Sequence, residues 1–152
     1  MQDNSGYELF TDLILASYLI EFNLAGKIRF HIKAVPWFIS DVMHHDFHWT
    51  INQLLTHEHP SVAAFGDKIS GYMKNGQFEL CPIEHFWTSP YEFAKMSKIN
   101  KPLYDNLATS HLLIFKGDLN YRKLLADFNW PFDSKFEHVL QGEKINFKLK
   151  PN

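Results

Sequence analysis

The 152-residue sequence predicts an α/β fold, layered around a mainly parallel sheet, on three observations. A helix-period apolar pattern follows a capping signal near the start. Residues 27–35 alternate between apolar and polar side chains. The run His111-Leu112-Leu113-Ile114-Phe115 then leads straight into a turn at Gly117 and a polar stretch. Helical and extended patterns that alternate along a chain build strand–helix–strand crossovers, and these stack helices on a parallel sheet. No internal repeat, low-complexity tract or linker interrupts the pattern, so residues 1–152 read as a single domain.

Each element has its own warrant. Ser5 and Glu8 have capping-box spacing, and Leu9, Leu13, Ala16 and Ile20 recur behind them at helical intervals, which predicts a helix over residues 7–24. Gly26 is expected to stop it. In residues 27–35, Ile28, Phe30 and Ile32 fall on one side and Arg29, His31 and Lys33 on the other, a strand signature ended by Pro36. An apolar loop, Trp37-Phe38-Ile39-Ser40, leads to Asp41. Helices are expected over residues 42–57 and 61–74, and a short strand over residues 78–83. Pro90 and Pro102 break up an irregular stretch before a short helix at residues 103–108. A strand over residues 111–115, a helix over 119–128 and one or two helical turns at 136–141 complete the order.

Composition narrows the classes of function. Hydrophobic residues make up 45% of the chain and aromatic residues 16%, enough for a packed core rather than a disordered chain. A formal charge of −2 lacks the basic excess of a nucleic-acid surface. One cysteine, Cys81, cannot form an internal disulfide, which fits a reducing compartment. The longest apolar stretch, residues 13–20, is far too short to span a bilayer, and no basic-then-apolar leader precedes it. The expectation is a soluble intracellular domain, cytoplasmic or nuclear, with no membrane or nucleic-acid partner. Its oligomeric state is not fixed by the sequence.

Three polar clusters are candidates for a ligand site. Asp3-Asn4 precedes the first helix, where unpaired N–H groups favour an anion and where oxygen ligands could hold a hard divalent cation. Asp41 follows the first strand. Asp118, Asn120 and Arg122 follow the strand expected at 111–115. In open α/β sheets ligands collect at the carboxyl ends of strands, and parallel crossovers would bring all three clusters to that edge. Each cluster taken alone also fits a cap or turn, and Asp118 and Arg122 have the spacing of a surface i,i+4 ion pair.

The histidines suggest another chemistry. His44 and His48 stand one helical turn apart, as in zinc sites, but the helical hydrolase signature needs Glu where His45 stands. A histidine metal site is therefore not expected. His57 and His59, before Pro60, read as a helix end. Phe86, Trp87, Tyr91 and Phe93 read as core or pocket wall, and Cys81 as buried and inert.

Three segments carry a resemblance to a known family. They are residues 3–16 (DNSGYELFTDLILA), 36–41 (PWFISD) and 115–123 (FKGDLNYRK), supported by residues 85–88 (HFWT) and 90–92 (PYE). Long and in order, they resemble the metal-dependent damage-control phosphatases, in the branch that includes a protein also described as a protein-glutamate methyltransferase. The resemblance implies a three-layer α/β/α sandwich, usually behind an N-terminal helical domain. It implies a divalent metal, Mn2+ foremost with Co2+, Ni2+ or Mg2+ as alternatives. It also implies hydrolysis of phosphate esters such as fructose 1-phosphate and fructose 6-phosphate in metabolite damage control. Carried onto this sequence, the metal ligands are Asp3, Asn4 and Asp41. The substrate contacts are Asp3, Asn4, Asp118, Leu119, Asn120, Tyr121 and Arg122. Independently of the resemblance, the carboxylate of Asp118 is the candidate proton acceptor.

The sequence also departs from the family pattern. Only Met1 and Gln2 precede the Asp-Asn pair, where members carry an apolar strand, and nothing in residues 145–152 matches the branch's Arg-Thr-x-Lys motif. The N-terminal helical domain has no counterpart. A metal pair so near a chain start is expected to fray, and the chain reads as truncated at both ends, slow or inactive by itself. Two alternatives therefore stand beside the phosphatase: an S-adenosylmethionine-dependent carboxyl methyltransferase, and a non-catalytic remnant or interaction module. No glycine-rich loop after a strand supports the first.

Overall fold

A computed structural model of the chain describes residues 1–140. Helices and strands are mixed, with a small parallel sheet, as an α/β fold requires. The chain divides into two compact units, Gln2–Glu84 in one and Met1 with His85–Asn152 in the other.

The first unit opens with α1 (Tyr7–Glu21), whose Leu9, Leu13, Ala16 and Ile20 are buried as their spacing predicts. Its start differs from the expected capping box. Gly6 is the N-cap and no side chain caps it, because both box residues are engaged elsewhere. Ser5 Oγ donates to the Ser40 carbonyl and Glu8 accepts from Asn4 Nδ2. The helix also ends earlier than Gly26. Asn23 takes a left-handed φ of 56°, a conformation Asn tolerates, and turns the chain there.

β1 (Ile28–Phe30) pairs in parallel with β2 (Phe78–Leu80), Ile28 opposite Phe78 and Phe30 opposite Leu80. Both are shorter than the expected runs of 27–35 and 78–83. The alternation predicted one wet face, but Ile32, His31 and Lys33 are all buried, so the segment beyond β1 passes through the interior. Between the strands lie α2 (His44–Leu55) and α3 (Pro60–Lys74), the crossover that parallel strands need. His59 is the N-cap of α3 with Pro60 in its first turn. Asp46 reaches back to the Met43 N–H to close the start of α2. Leu9, Leu13, Phe30, Ile32, Val42, Phe47, Ile69 and Phe78 form the core.

The second unit is built on Phe86, Trp87, Phe93, Met96, Leu103 and Leu107, a ring-rich cluster in which Trp87 stands edge-on to Phe93. This bears out the reading of Phe86, Trp87 and Phe93 as core, whereas Tyr91 of the same run is exposed. Two 3₁₀ turns (His85–Thr88 and Phe93–Lys95) precede α4 (Met96–Ile99) and α5 (Lys101–Leu107). Pro102, read as a breaker, sits instead in the first turn of α5, where its missing N–H has no partner to lose; Asn100 caps that helix. The strand expected at 111–115 is not formed among the described residues. A strand needs a ladder, and the Ile114 carbonyl accepts instead from the Met1 amine at 2.8 Å. Gly117, at φ 88°, makes the predicted turn into α6 (Asp118–Leu124). That helix stops short of residue 128 because Ala126 and Asp127 are left-handed. α7 (Phe136–Leu140) is the last element among the described residues, and Gln141, the expected end of its turns, lies outside them.

Candidate functional site

Backbone pairing assembles the first cluster. Gln2 N–H donates to the His31 carbonyl at 2.9 Å, tying the chain start to the segment that follows β1. On its other side the same stretch pairs with residues 40–42: Ser5 N–H donates to Ser40 O at 2.9 Å and Val42 N–H to Asp3 O at 2.8 Å. Asn4 and Asp41 form an antiparallel bridge. Residues 2–5 are thus held from both sides rather than frayed. Asp3 is set beside the segment carrying Lys33 and beside the loop carrying Asp41.

Side chains complete the arrangement. Lys33 Nζ lies 2.8 Å from Asp3 Oδ1 and 2.5 Å from Asp41 Oδ1. The other oxygen of Asp41 accepts from the N–H groups of Trp37 and Phe38 at 2.6 and 2.8 Å, so the apolar loop folds around the carboxylate it precedes. Asn4 Nδ2 donates to Asp3 Oδ2 and Glu8 Oε2, and Asn4 Oδ1 accepts from Ser40 Oγ at 2.7 Å. Asp3 and Asp41 are 7% and 3% exposed and Lys33 1%, so two anions and a cation share one buried spot.

The donor set fits a hard divalent cation. Carboxylate and amide oxygens are the ligands such ions take, and the ammonium between the two carboxylates shows that this spot already accommodates positive charge. Asn4 turns its NH2 group toward Asp3 and its oxygen toward Ser40, so its oxygen would reach a cation beside Asp3 only after the amide rotates. The histidines offer no comparable set. Among the described residues no group of three or more His, Cys, Asp and Glu is placed to hold a metal.

The second cluster, on α6, is more varied than its sequence suggests. Asp118, Tyr121 and Arg122 are exposed, whereas Leu119 is buried and Asn120 fully so. Asn120 Nδ2 donates to the Lys116 carbonyl at 2.6 Å and locks the turn before the helix; its Oδ1 is buried without a protein partner. Arg122 does not pair with Asp118 as the i,i+4 spacing suggested. The left-handed turn at residues 126–127 returns Asp127 to it, and the guanidinium binds both Asp127 oxygens at 3.0 and 2.7 Å. This fork is the geometry with which Arg also grips phosphate.

Two buried residues escaped the sequence reading. Lys33 looked like one polar member of an alternating strand, and nothing in its neighbours distinguishes it from a solvated lysine. Lys123 anchors α6: its ammonium donates to Phe86 O at 3.0 Å and Ser89 O at 2.5 Å and lies over the rings of Phe86 and Phe93. Burial pulls its pKa down to about 8. Cys81 Sγ lies 3.5 Å from His31 Nε2, yet this pair is no nucleophile. Burial pushes the thiol up to about 11 and the imidazole down to about 4, so both are neutral, as the inert reading of Cys81 requires.

Residues 1–148 match the family model of the damage-control phosphatase ARMT1-like domain, and the chain belongs to that family. The chain is similar to damage-control phosphatase ARMT1 of Danio rerio, at 47% identity over 141 residues covering 92% of this chain and 31% of the relative. It is similar to the Homo sapiens protein of the same name at 43%, covering 92% of this chain and 32% of the relative. The Xenopus laevis protein matches at 45%, covering 91% and 31%. The chain therefore spans about a third of the length of the curated relatives it matches. Among the described residues no helix is long and apolar enough to cross a membrane.

Proposed function

We propose that the chain carries the cation-binding part of a metal-dependent phosphatase acting on phosphate monoesters of sugars, fructose 1-phosphate and fructose 6-phosphate among them. The observation that supports this most directly is the meeting of Asp3 and Asp41 at one buried spot with the partly buried Asn4 beside them, in a chain of the damage-control phosphatase family. Asp3, Asn4 and Asp41 would hold a divalent ion, Mn2+ foremost and Co2+, Ni2+ or Mg2+ in its place, which would supply Lewis-acid polarisation of a phosphoryl oxygen and an acidified water.

The protein's own groups have separate tasks. Trp37 and Phe38 N–H groups hold one oxygen of the Asp41 carboxylate and fix its orientation. Ser40 orients the Asn4 amide with its oxygen as acceptor. In the proposed substrate segment, Arg122 supplies two parallel donors for phosphate, in exchange for its hold on Asp127. Asp118 and Tyr121 are exposed and accessible to substrate, Asp118 as the candidate proton acceptor. Leu119 and Asn120 are buried, and their contribution is to hold the turn that presents these neighbours.

The test is release of inorganic phosphate from fructose 1-phosphate by the purified protein, with and without Mn2+. Slow, Mn2+-dependent release that D41N abolishes is the expected outcome. Release that proceeds in EDTA, or that survives in D41N, refutes the role of the cluster. Absence of any release under saturating Mn2+ favours a non-catalytic module.

A further inference from the structure

The Asp3–Asn4–Asp41 cluster already holds a cation of its own. The Lys33 side chain is fully buried, and its ammonium contacts one oxygen of each carboxylate. An ammonium that far from water needs such partners, and two carboxylates that close need a positive charge between them.

The oxygen inventory adds a constraint. Each carboxylate oxygen offers two lone-pair sites. Asp41 Oδ2 accepts from both Trp37 and Phe38, so both of its sites are taken. What is left for a metal on Asp41 is the second site of Oδ1, the oxygen Lys33 binds at 2.5 Å. On Asp3, Oδ1 is likewise bound by Lys33 and Oδ2 accepts from Asn4. A divalent ion ligated by Asp41 must therefore approach the oxygen that carries the ammonium. Two positive charges a few ångströms apart in a buried site repel strongly.

The geometry points to Lys33 as the internal counter-cation of this cluster: it holds Asp3 and Asp41 together in the metal-free protein and competes with the divalent ion for their Oδ1 oxygens. This rests on the reading that the cluster binds a divalent ion. Under it, Lys33 is a positioning residue whose removal has opposite effects on the two states. The metal-free protein loses its counter-charge, while the metal gains a site with no resident cation. A lysine that merely shaped the ligands would weaken both states on removal.

The experiment compares the unaltered protein with K33M, a neutral side chain of similar length. Melting temperature in EDTA and MnCl2 affinity by calorimetry are read for both. The expected result is a lower metal-free melting temperature for K33M together with Mn2+ binding at least about tenfold tighter. Equal or weaker binding by folded K33M, with the unaltered protein still binding Mn2+, overturns the competition and leaves the metal site standing. Binding by neither protein overturns both. Should K33M fail to fold, the ammonium resonance of Lys33 in 15N-lysine-labelled protein gives the answer. It should shift on saturation with diamagnetic Mg2+, and an unmoved signal at saturation overturns the competition.

Discussion

The Lys33–Asp41 pair makes a prediction that separates folding from function. In D41N the amide oxygen can still accept from Trp37 and Phe38, but the charge that faces Lys33 is gone and an NH2 group replaces one carboxylate oxygen. Lys33 keeps Asp3, so the ammonium is under-compensated rather than abandoned. Removing one partner of a buried pair costs about 3–5 kcal/mol, and the retained Asp3 contact places D41N near the lower figure, about 3 kcal/mol. K33M leaves two carboxylates facing each other and should cost about as much. The double variant K33M/D41N removes both conflicts, so its cost should fall short of the sum by about 2 kcal/mol. Urea unfolding of the four proteins in EDTA, followed by tryptophan fluorescence, measures this coupling. A loss of about 3 kcal/mol is a large share of the roughly 5–15 kcal/mol that holds a typical domain, so each single variant must be shown to be folded before an activity loss is interpreted. Additive costs, with coupling below about 0.5 kcal/mol, would refute the claim that the two side chains act as a pair.

Two glycines of α3 should respond oppositely to the same substitution. A Cβ on Gly66 would lie 2.6 Å from Leu55 N and 2.7 Å from Leu54 C, backbone atoms that cannot step aside, whereas one on Gly71 meets nothing within 4 Å. G71A should gain up to about 1 kcal/mol from helix propensity, while overpacking makes G66A a net loss of about 1–2 kcal/mol. In thermal melts these are shifts of a few degrees in opposite directions, on the order of 2–4 °C per kcal/mol, and a stabilised G66A would contradict the close approach of α2 and α3. Lys123 should make stability rise with pH. Its folded pKa of about 8 lies below the ordinary lysine value, so between about 8 and 10.5 the unfolded chain binds more protons and the burial penalty is relieved as pH increases. The gain over that window is on the order of 2–3 kcal/mol and should be missing from K123M; identical pH–stability profiles for the two proteins would count against it.

Periodicity and turn chemistry were enough to place α1, α2 and α3, because an amphipathic stripe such as Leu9, Leu13, Ala16 and Ile20 is a local property of the chain. The Gly117 turn into α6 was legible for the same reason: positive φ favours glycine. Long ordered segments carried the family. The residues 111–115 were misread because an apolar run looks like a strand whether or not a ladder partner is present. The Ser5–Glu8 box failed because Asn4 and Ser40, one of them far along the chain, recruit its members.

The sequence by itself determined that Asp3, Asn4, Asp41 and the 118–122 segment are the residues to examine, since side-chain type and motif order are written in it. Only the tertiary structure decided that Lys33 joins Asp3 and Asp41, because burial of that ammonium depends on where the chain runs after β1, with residues 2–5 beside it and Asp41 across from it. Tertiary structure likewise decided that Arg122 pairs with Asp127 instead of Asp118, through two left-handed residues that helical spacing cannot foresee. Ion pairs between distant residues are set by three-dimensional proximity, and proximity is the one quantity that local pattern does not encode.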